Sequence, residues 1–364
     1  MRQIKLRLRS ARCDIVVGAG ALQSIPGLLR AAGIEERALL VSQEPVLDAL
    51  GSTSAILDGP IGKLPRALIP DGERAKKLGT VERLLDRMLD LRMTRESVVI
   101  AVGGGVVGDV AGMAASLYLR GIRVVQVPTT LLAQVDSSVG GKTGVNHARG
   151  KNLIGTFHQP RLVVADPAVL QTLPDREYRS GLYEVLKYGL IADRALFRFF
   201  EKRLTDIERR DLGLLEDIVY RSLGVKARIV RLDEKEGGLR RILNFGHTIG
   251  HAIEAASGYR KVRHGEAVGY GMIGATRIAS RMGLIDDVDA DRIEAAVLSI
   301  GRLPALGSVS VPLMLEAIAH DKKVRNGAVH FVLPRRIGAV EIGAGVDRAT
   351  LRATLRQLAG SEAR

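Results

Sequence analysis

The stretch SVVIAVGGGVVGD, Ser97 to Asp109, sets the architecture of this chain. Five apolar residues, Val98 to Val102, run into Gly103-Gly104-Gly105-Val106-Val107-Gly108-Asp109, so a G-x-G-x-x-G pattern directly follows a strand and opens a helix. Glycines in those places let backbone N–H groups and the helix N-terminus approach a pyrophosphate. Two features depart from the ordinary dinucleotide fold. Sheet elements already precede the motif, and no Asp or Glu stands about twenty residues on. Instead the next strand ends in Val127-Pro128-Thr129-Thr130.

Outward from the motif, short apolar runs alternate with helical stretches: Ala38 to Val41, the amphipathic Lys76 to Leu91, then Asp109 to Leu119 and Arg123 to Val127. That βαβ rhythm predicts an α/β N-terminal domain over residues 1–170 with a Rossmann-like, mostly parallel sheet. Beyond it, 3.6-period segments at Asp175 to Leu190, Asp211 to Leu232, Asn244 to Ser257, His264 to Met282 and Asp287 to Ile300 predict an all-α C-terminal domain over 171–364. Ala328 to Leu333 alternates as a late strand or hairpin would.

Composition bounds the function. The 364 residues are 46% hydrophobic and 26% charged, ordinary globular usage that excludes disorder and coiled coil. No apolar run reaches the roughly 18 residues of a membrane span, and the start has no apolar signal segment, so no membrane partner and a cytoplasmic location are expected. The single Cys13 has no partner for a disulfide or a cysteine metal site. A net charge of +14 invites a nucleic-acid reading, but 13 aromatics, no Trp and no basic run argue against one.

Residues with chemistry concentrate in a few places. Asp136-Ser-Ser-Val-Gly-Gly-Lys-Thr143 ends like a Walker A loop, but Asp136 stands where its first glycine belongs, which argues against an ATPase. Lys142 and Lys151 flank a glycine-rich stretch, with Gly140, Gly141, Gly144 and Gly150, expected as a loop that cradles an anionic ligand. His247 and His251 share one helix face at i and i+4, with His264 nearby, a spacing that by itself points to the pair as metal ligands. Glu184 lies on an otherwise apolar helix one turn from Lys187, an expensive place for a carboxylate unless it is paired or bound to metal. Glu and His ligands with no Cys leave open positions on Zn²⁺, as catalytic sites do.

The segments GGGVVGDVAG, VPTTLLAQVDSSVGGKTGVN, GKNLIGTFHQP, EVLKYGLI, LNFGHTIGHAIE, HGEAVGYGM and DKK, in this order, resemble the 3-dehydroquinate synthase family of sugar-phosphate cyclases. The resemblance implies a dehydroquinate synthase-like fold and a carbon–oxygen lyase of the shikimate pathway acting on a phosphorylated sugar acid. It also implies bound NAD, Zn²⁺ or Co²⁺, and a homodimer. By matching position it implies Glu184, His247 and His264 as metal ligands, with His251 beside the substrate. It places Lys142, Asn152, Lys187, Lys226, Arg240, Asn244 and Lys322 on substrate, and Arg120 on the phosphate of a neighbouring subunit's site. For NAD it implies Asp71, Gly72, Glu73, Arg74, Ala75 and Lys76, then Gly105, Val106, Val107, Gly108 and Asp109. Thr129, Thr130, Lys142, Lys151, Val169, Leu170, Gln171 and Thr172 complete that set. Metal-dependent polyol dehydrogenases, which release NADH, and cyclases making inosose or valiolone products are the competing readings; Asn244 and His251 favour dehydroquinate.

Overall fold

The computed structural model describes residues 1–34, 37–51, 64–259, 261–307, 309–320, 324–325 and 328–360. The chain divides into two compact units, Met1–Pro174 with Arg210–Lys235, and Asp175–Arg209 with Glu236–Arg364.

The first unit is built on a seven-stranded sheet among the described residues. Its strands are β1 (Arg2–Arg7), β2 (Arg12–Val17), β3 (Ala38–Ser42), β4 (Arg66–Leu68), β5 (Val98–Gly103), β6 (Arg123–Pro128) and β9 (Leu162–Ala165). They lie in the order β1-β2-β9-β6-β5-β3-β4. Only the β1–β2 pair is antiparallel. Strands β3 and β5 are buried along their whole length, as strands covered on both faces must be. Side-chain alternation sorts them into two cores. Leu39, Val41, Val99 and Ala101 pack with Val81, Leu84 and Met88 of helix Leu78–Asp90. Leu40, Val98, Ile100 and Val102 face Ile25 and Leu29 on the other side. Between β6 and β9 the chain makes a hairpin of β7 (Lys142–His147) and β8 (Gly150–Phe157). The segment flanked by Lys142 and Lys151, expected as a loop, is therefore paired strand, with Gly144 opposite Gly155.

Helix Leu212–Leu232, expected in the second domain, clusters with the first unit. It packs on β1, β2 and the turn Ala133–Ser137 with Leu215, Ile218, Val219 and Leu223 fully buried, and polar contacts add to this: Arg2 binds Asp217 at 2.7 Å, the Ala19 N–H donates to Glu216 at 3.3 Å, and Lys226 donates to Asp136 Oδ1 at 2.7 Å.

The second unit is rich in helices. Helix His264–Arg281 packs against helices Asp175–Ala192, His247–Ala256, Asp287–Ser299 and Arg348–Gly360. All-α is too strict a description, however. β10 (Val324–Arg325), β11 (Ala328–Arg336) and β12 (Ala339–Val346) form an antiparallel sheet, of which the sequence reading caught only the alternation at Ala328 to Leu333. Among the described residues no helix is long and apolar enough to cross a membrane.

Candidate active site

In the second unit, helix Asp175–Ala192 is buried from Ser180 to Ile191, and Glu184 within it is 0% exposed. Nε2 of His247 lies 3.6 Å from Glu184 Oε1, and Nε2 of His264 lies 3.7 Å from the same oxygen. Lys187 Nζ pairs with the other oxygen, Oε2. Both histidines open helices, His247 that of His247–Ala256 and His264 that of His264–Arg281. The two helices touch backbone to backbone, since a Cβ on Gly271 would lie 1.7 Å from the Gly246 carbonyl oxygen. Arg176 grips Glu266 with two bonds of 2.7 and 2.8 Å, and Glu266 caps the Arg263 N–H at 2.7 Å, which fixes where His264 begins its helix.

These residues fit a divalent cation. Neither Glu184 oxygen has a hydrogen bond of ordinary geometry although both are buried. The spacings of 3.6 and 3.7 Å are too long for hydrogen bonds. They are close to the roughly 3.4 Å that separates two tetrahedral ligands each about 2.1 Å from Zn²⁺. His247 donates from Nδ1 to the Phe245 carbonyl at 3.1 Å, which leaves Nε2 with its lone pair toward Glu184. Burial, then the nearby Lys187 ammonium and the other imidazoles, hold His247 well below its ordinary pKa, so it is neutral and able to ligate. At His264 burial opposes the charged form, but the carboxylates of Glu184 and Glu254 outweigh it and push the imidazole up to about 10.

His251 is exposed, its ring 5.3 Å from that of His247 and 6.0 Å from that of His264. Its i+4 spacing therefore does not put it with Glu184; Glu184, His247 and His264 form one potential ligand group, and His251 joins Glu254 and His264 in another. Sequence reasoning missed Glu254, 4% exposed, although it stands seven residues after His247 on the same helix face. Arg240, 1% exposed, and Asn244, which donates to Glu236 at 2.9 Å, lie on the turn Leu239–Asn244. Lys322 lies outside the described residues.

In the first unit, Lys76 is 5% exposed and its Nζ sits 2.6 Å from Asp109 Oδ2 and 2.5 Å from Asn152 Oδ1. Asn152 is left-handed, with φ of 54°, and its N–H donates to Asn146 at 2.9 Å. Asn146 in turn reaches Glu73 at 2.7 Å and the Lys76 carbonyl at 2.9 Å. One network thus joins Glu73, Lys76, Asp109 and Asn152, while Asp71, Gly72, Arg74 and Ala75 make up the turn that delivers Lys76. Burial pushes the Asp109 carboxyl up against the pull of Lys76.

Gly105, Val106, Val107, Gly108 and Asp109 form the first turns of helix Gly105–Leu117, which no side chain caps and whose first turn carries no acid. Such an N-terminus suits a pyrophosphate. The Thr129 N–H donates to Gly103 at 3.0 Å, and Thr130 Oγ1 accepts from Ala133 at 3.1 Å. Val169, Leu170, Gln171 and Thr172 lie on a short turn whose carbonyls Arg210 holds, Leu170 at 3.0 Å and Gln171 at 2.7 Å. Lys142 and Lys151 sit on β7 and β8, Lys142 exposed. Exposed Arg120 is left-handed, with φ of 69°, directly after Leu119 at 50°. Asp136, set aside above as a failed Walker position, is the carboxylate that receives Lys226.

Family models described as 3-dehydroquinate synthase N-terminal and C-terminal match residues 66–180 and 181–324. A 3-dehydroquinate synthase of Nostoc sp. is 45% identical over 98% of this chain and 99% of its own length. Among solved structures, a 2-deoxy-scyllo-inosose synthase complexed with carbaglucose-6-phosphate, NAD⁺ and Co²⁺ superposes with a TM-score of 0.90 at 28% identity, covering 98% of this chain and all of its own. A 2-epi-5-epi-valiolone synthase from Streptomyces hygroscopicus subsp. jinggangensis, with NAD⁺ and Zn²⁺ bound, gives 0.88 at 33% identity, covering 97% of this chain and 98% of its own. With both family models matched in tandem and such identity sustained over nearly the full length, the chain belongs to the 3-dehydroquinate synthase family.

Proposed function

We propose that this chain converts 3-deoxy-D-arabino-heptulosonate 7-phosphate to 3-dehydroquinate and phosphate, as a carbon–oxygen lyase with NAD⁺ and Zn²⁺ or Co²⁺ as resident cofactors. The observation that carries the reading is the buried Glu184, His247 and His264 group with the Lys187 ammonium against it. A neutral polyol needs no such cation beside the metal ligands; a substrate with phosphate and carboxylate does.

When bound, NAD⁺ takes and returns the C5 hydride and the cation polarises the reacting hydroxyl. The remaining work falls to the chain. Glu184, His247 and His264 hold the cation. Lys187, buried and one turn from Glu184, supplies a fixed positive charge toward substrate oxygens. Lys142, Lys226, Arg240, Asn152, Asn244, His251 and Lys322 are assigned to substrate by family position, and Arg120 to the phosphate in a partner subunit of a homodimer. In the first unit, the Lys76–Asp109–Asn152 network links the residues assigned to NAD with one assigned to substrate. The uncapped helix at Gly105 and the turn Val169–Thr172 are assigned to NAD.

The test is phosphate release from the heptulosonate phosphate by purified protein, before and after chelation. Release that stops on chelation and returns with Zn²⁺ or Co²⁺ supports the reading. Metal-replete protein with NAD⁺ that releases no phosphate sinks it.

A further inference from the structure

His247 and His264 present the same atom to Glu184, Nε2, and each must therefore carry its proton on Nδ1 to be a ligand there. For His247 the acceptor is a backbone carbonyl, that of Phe245. For His264 it is a side chain: Glu254 Oε2 lies 3.2 Å from Nδ1. Glu254 is 4% exposed, and it comes from helix His247–Ala256, the helix that also supplies His247. A carboxylate in that position is costly unless it has a partner, and a ring nitrogen of His264 is one. Carboxylate–histidine–metal relays of this kind fix the tautomer and ring orientation of the ligand and raise its basicity.

We propose that Glu254 is a positioning residue of the metal centre, accepting from His264 Nδ1–H so that Nε2 is held with its lone pair toward Glu184 and His247. It makes no contact with substrate in this role. The inference rests on the reading of Glu184, His247 and His264 as the ligand set. One helix then supplies both a ligand, His247, and the support of the ligand on the next helix, so the sequence HTIGHAIE encodes two layers of the site at i and i+7.

The experiment is Zn²⁺ affinity by chelator competition, with the visible absorption of the Co²⁺ form as a second readout, on Glu254→Gln and Glu254→Leu. The amide keeps an acceptor oxygen without the charge, and Leu removes the acceptor at similar volume. Leu is expected to weaken Zn²⁺ binding about 10- to 100-fold, with Gln between it and wild type, and both are expected to shift the Co²⁺ spectrum. Either variant, folded, binding Zn²⁺ as tightly as wild type overturns the proposal, and so does a lowered melting temperature of the metal-free protein with metal affinity unmoved. If Leu fails to fold, Gln decides alone. His264→Ala separates this proposal from the reading beneath it. Loss of metal in His264→Ala with unchanged Glu254 variants rejects the positioning role alone, whereas full metal retention in His264→Ala rejects the ligand set itself. Should His251→Ala lose metal as Glu254→Leu does, Glu254 is a ligand in the second group, and the positioning role is overturned.

Discussion

In the proposed reading His247 and His264 share the task of ligand and differ in what their Nδ1 meets, the Phe245 carbonyl and the Glu254 carboxylate, while exposed His251 is assigned to substrate. His247→Ala is expected to lose bound metal, whereas His251→Ala is expected to keep it and lose turnover; metal analysis of the two purified variants checks this, and equal loss would restore the i, i+4 pair as ligands. Lys187→Met keeps bulk without charge and is expected to retain metal and NAD⁺ while turning over at least about a hundredfold slower, the scale of a charge-assisted contact of about 3 kcal/mol. A rate within a few-fold of wild type would contradict the role given to the ammonium. pH enters through His264, raised to about 10 by its two carboxylates against the opposing effect of burial. Its proton stabilises the metal-free fold below the ordinary histidine range and is lost as pH rises through about 10. Metal uptake must expel that proton, so apparent Zn²⁺ affinity is expected to rise by up to about tenfold per pH unit from neutral toward 10. A flat profile in chelator competition would show that His264 is already neutral. The spacing of His247 and His251 was legible in sequence, but spacing alone did not choose between them; the position of family motifs did. The physical reason for the choice lies in how two helices cross at Gly246 and Gly271, a tertiary fact.

At the scale of elements, the glycine turn separates packing from binding. A Cβ on Gly108 would fall 2.7 Å from Gln126 Oε1, whereas one on Gly105 meets only the Ser137 side chain, its hydroxyl at 3.1 Å. Gly105→Val is therefore expected to cut NAD⁺ affinity with a small change in melting temperature, and Gly108→Val to lower the melting temperature by several degrees. Calorimetric titration and thermal unfolding check the pair; unchanged NAD⁺ affinity in folded Gly105→Val would make the whole motif a packing turn. The motif, its strand and its helix were all readable because local pattern determines them, although the helix begins at Gly105, ahead of the Asp109 start expected from apolar periodicity. The sheet of β10 to β12 was only partly readable, since β12 runs through Gly343, Ala344 and Gly345, three small residues in a row that erase the alternation of large ones.

For the molecule as a whole, the order of motifs was legible and the grouping of helices was not. Helix Leu212–Leu232 reads as one more member of a helical run, yet its acidic Glu216 and Asp217 and its Lys226 bind residues of the sheet unit. Pairing across 90 positions of chain, as for Lys226 with Asp136, or across some 200, as for Arg2 with Asp217, leaves no local signature. The positive charge behaves similarly: the count of +14 along the sequence does not show that Lys76, Lys187, Lys226 and Arg240 are buried inside the two units. The central claim is that the chain oxidises and re-reduces its substrate within one turnover, so that phosphate leaves and NADH does not. Following phosphate and the absorbance of reduced nicotinamide near about 340 nm in one reaction with the heptulosonate phosphate tests it most directly. The account predicts one phosphate per substrate consumed with no net NADH. NADH accumulating in step with substrate, or forming from an unphosphorylated polyol with no phosphate released from the heptulosonate, would contradict it.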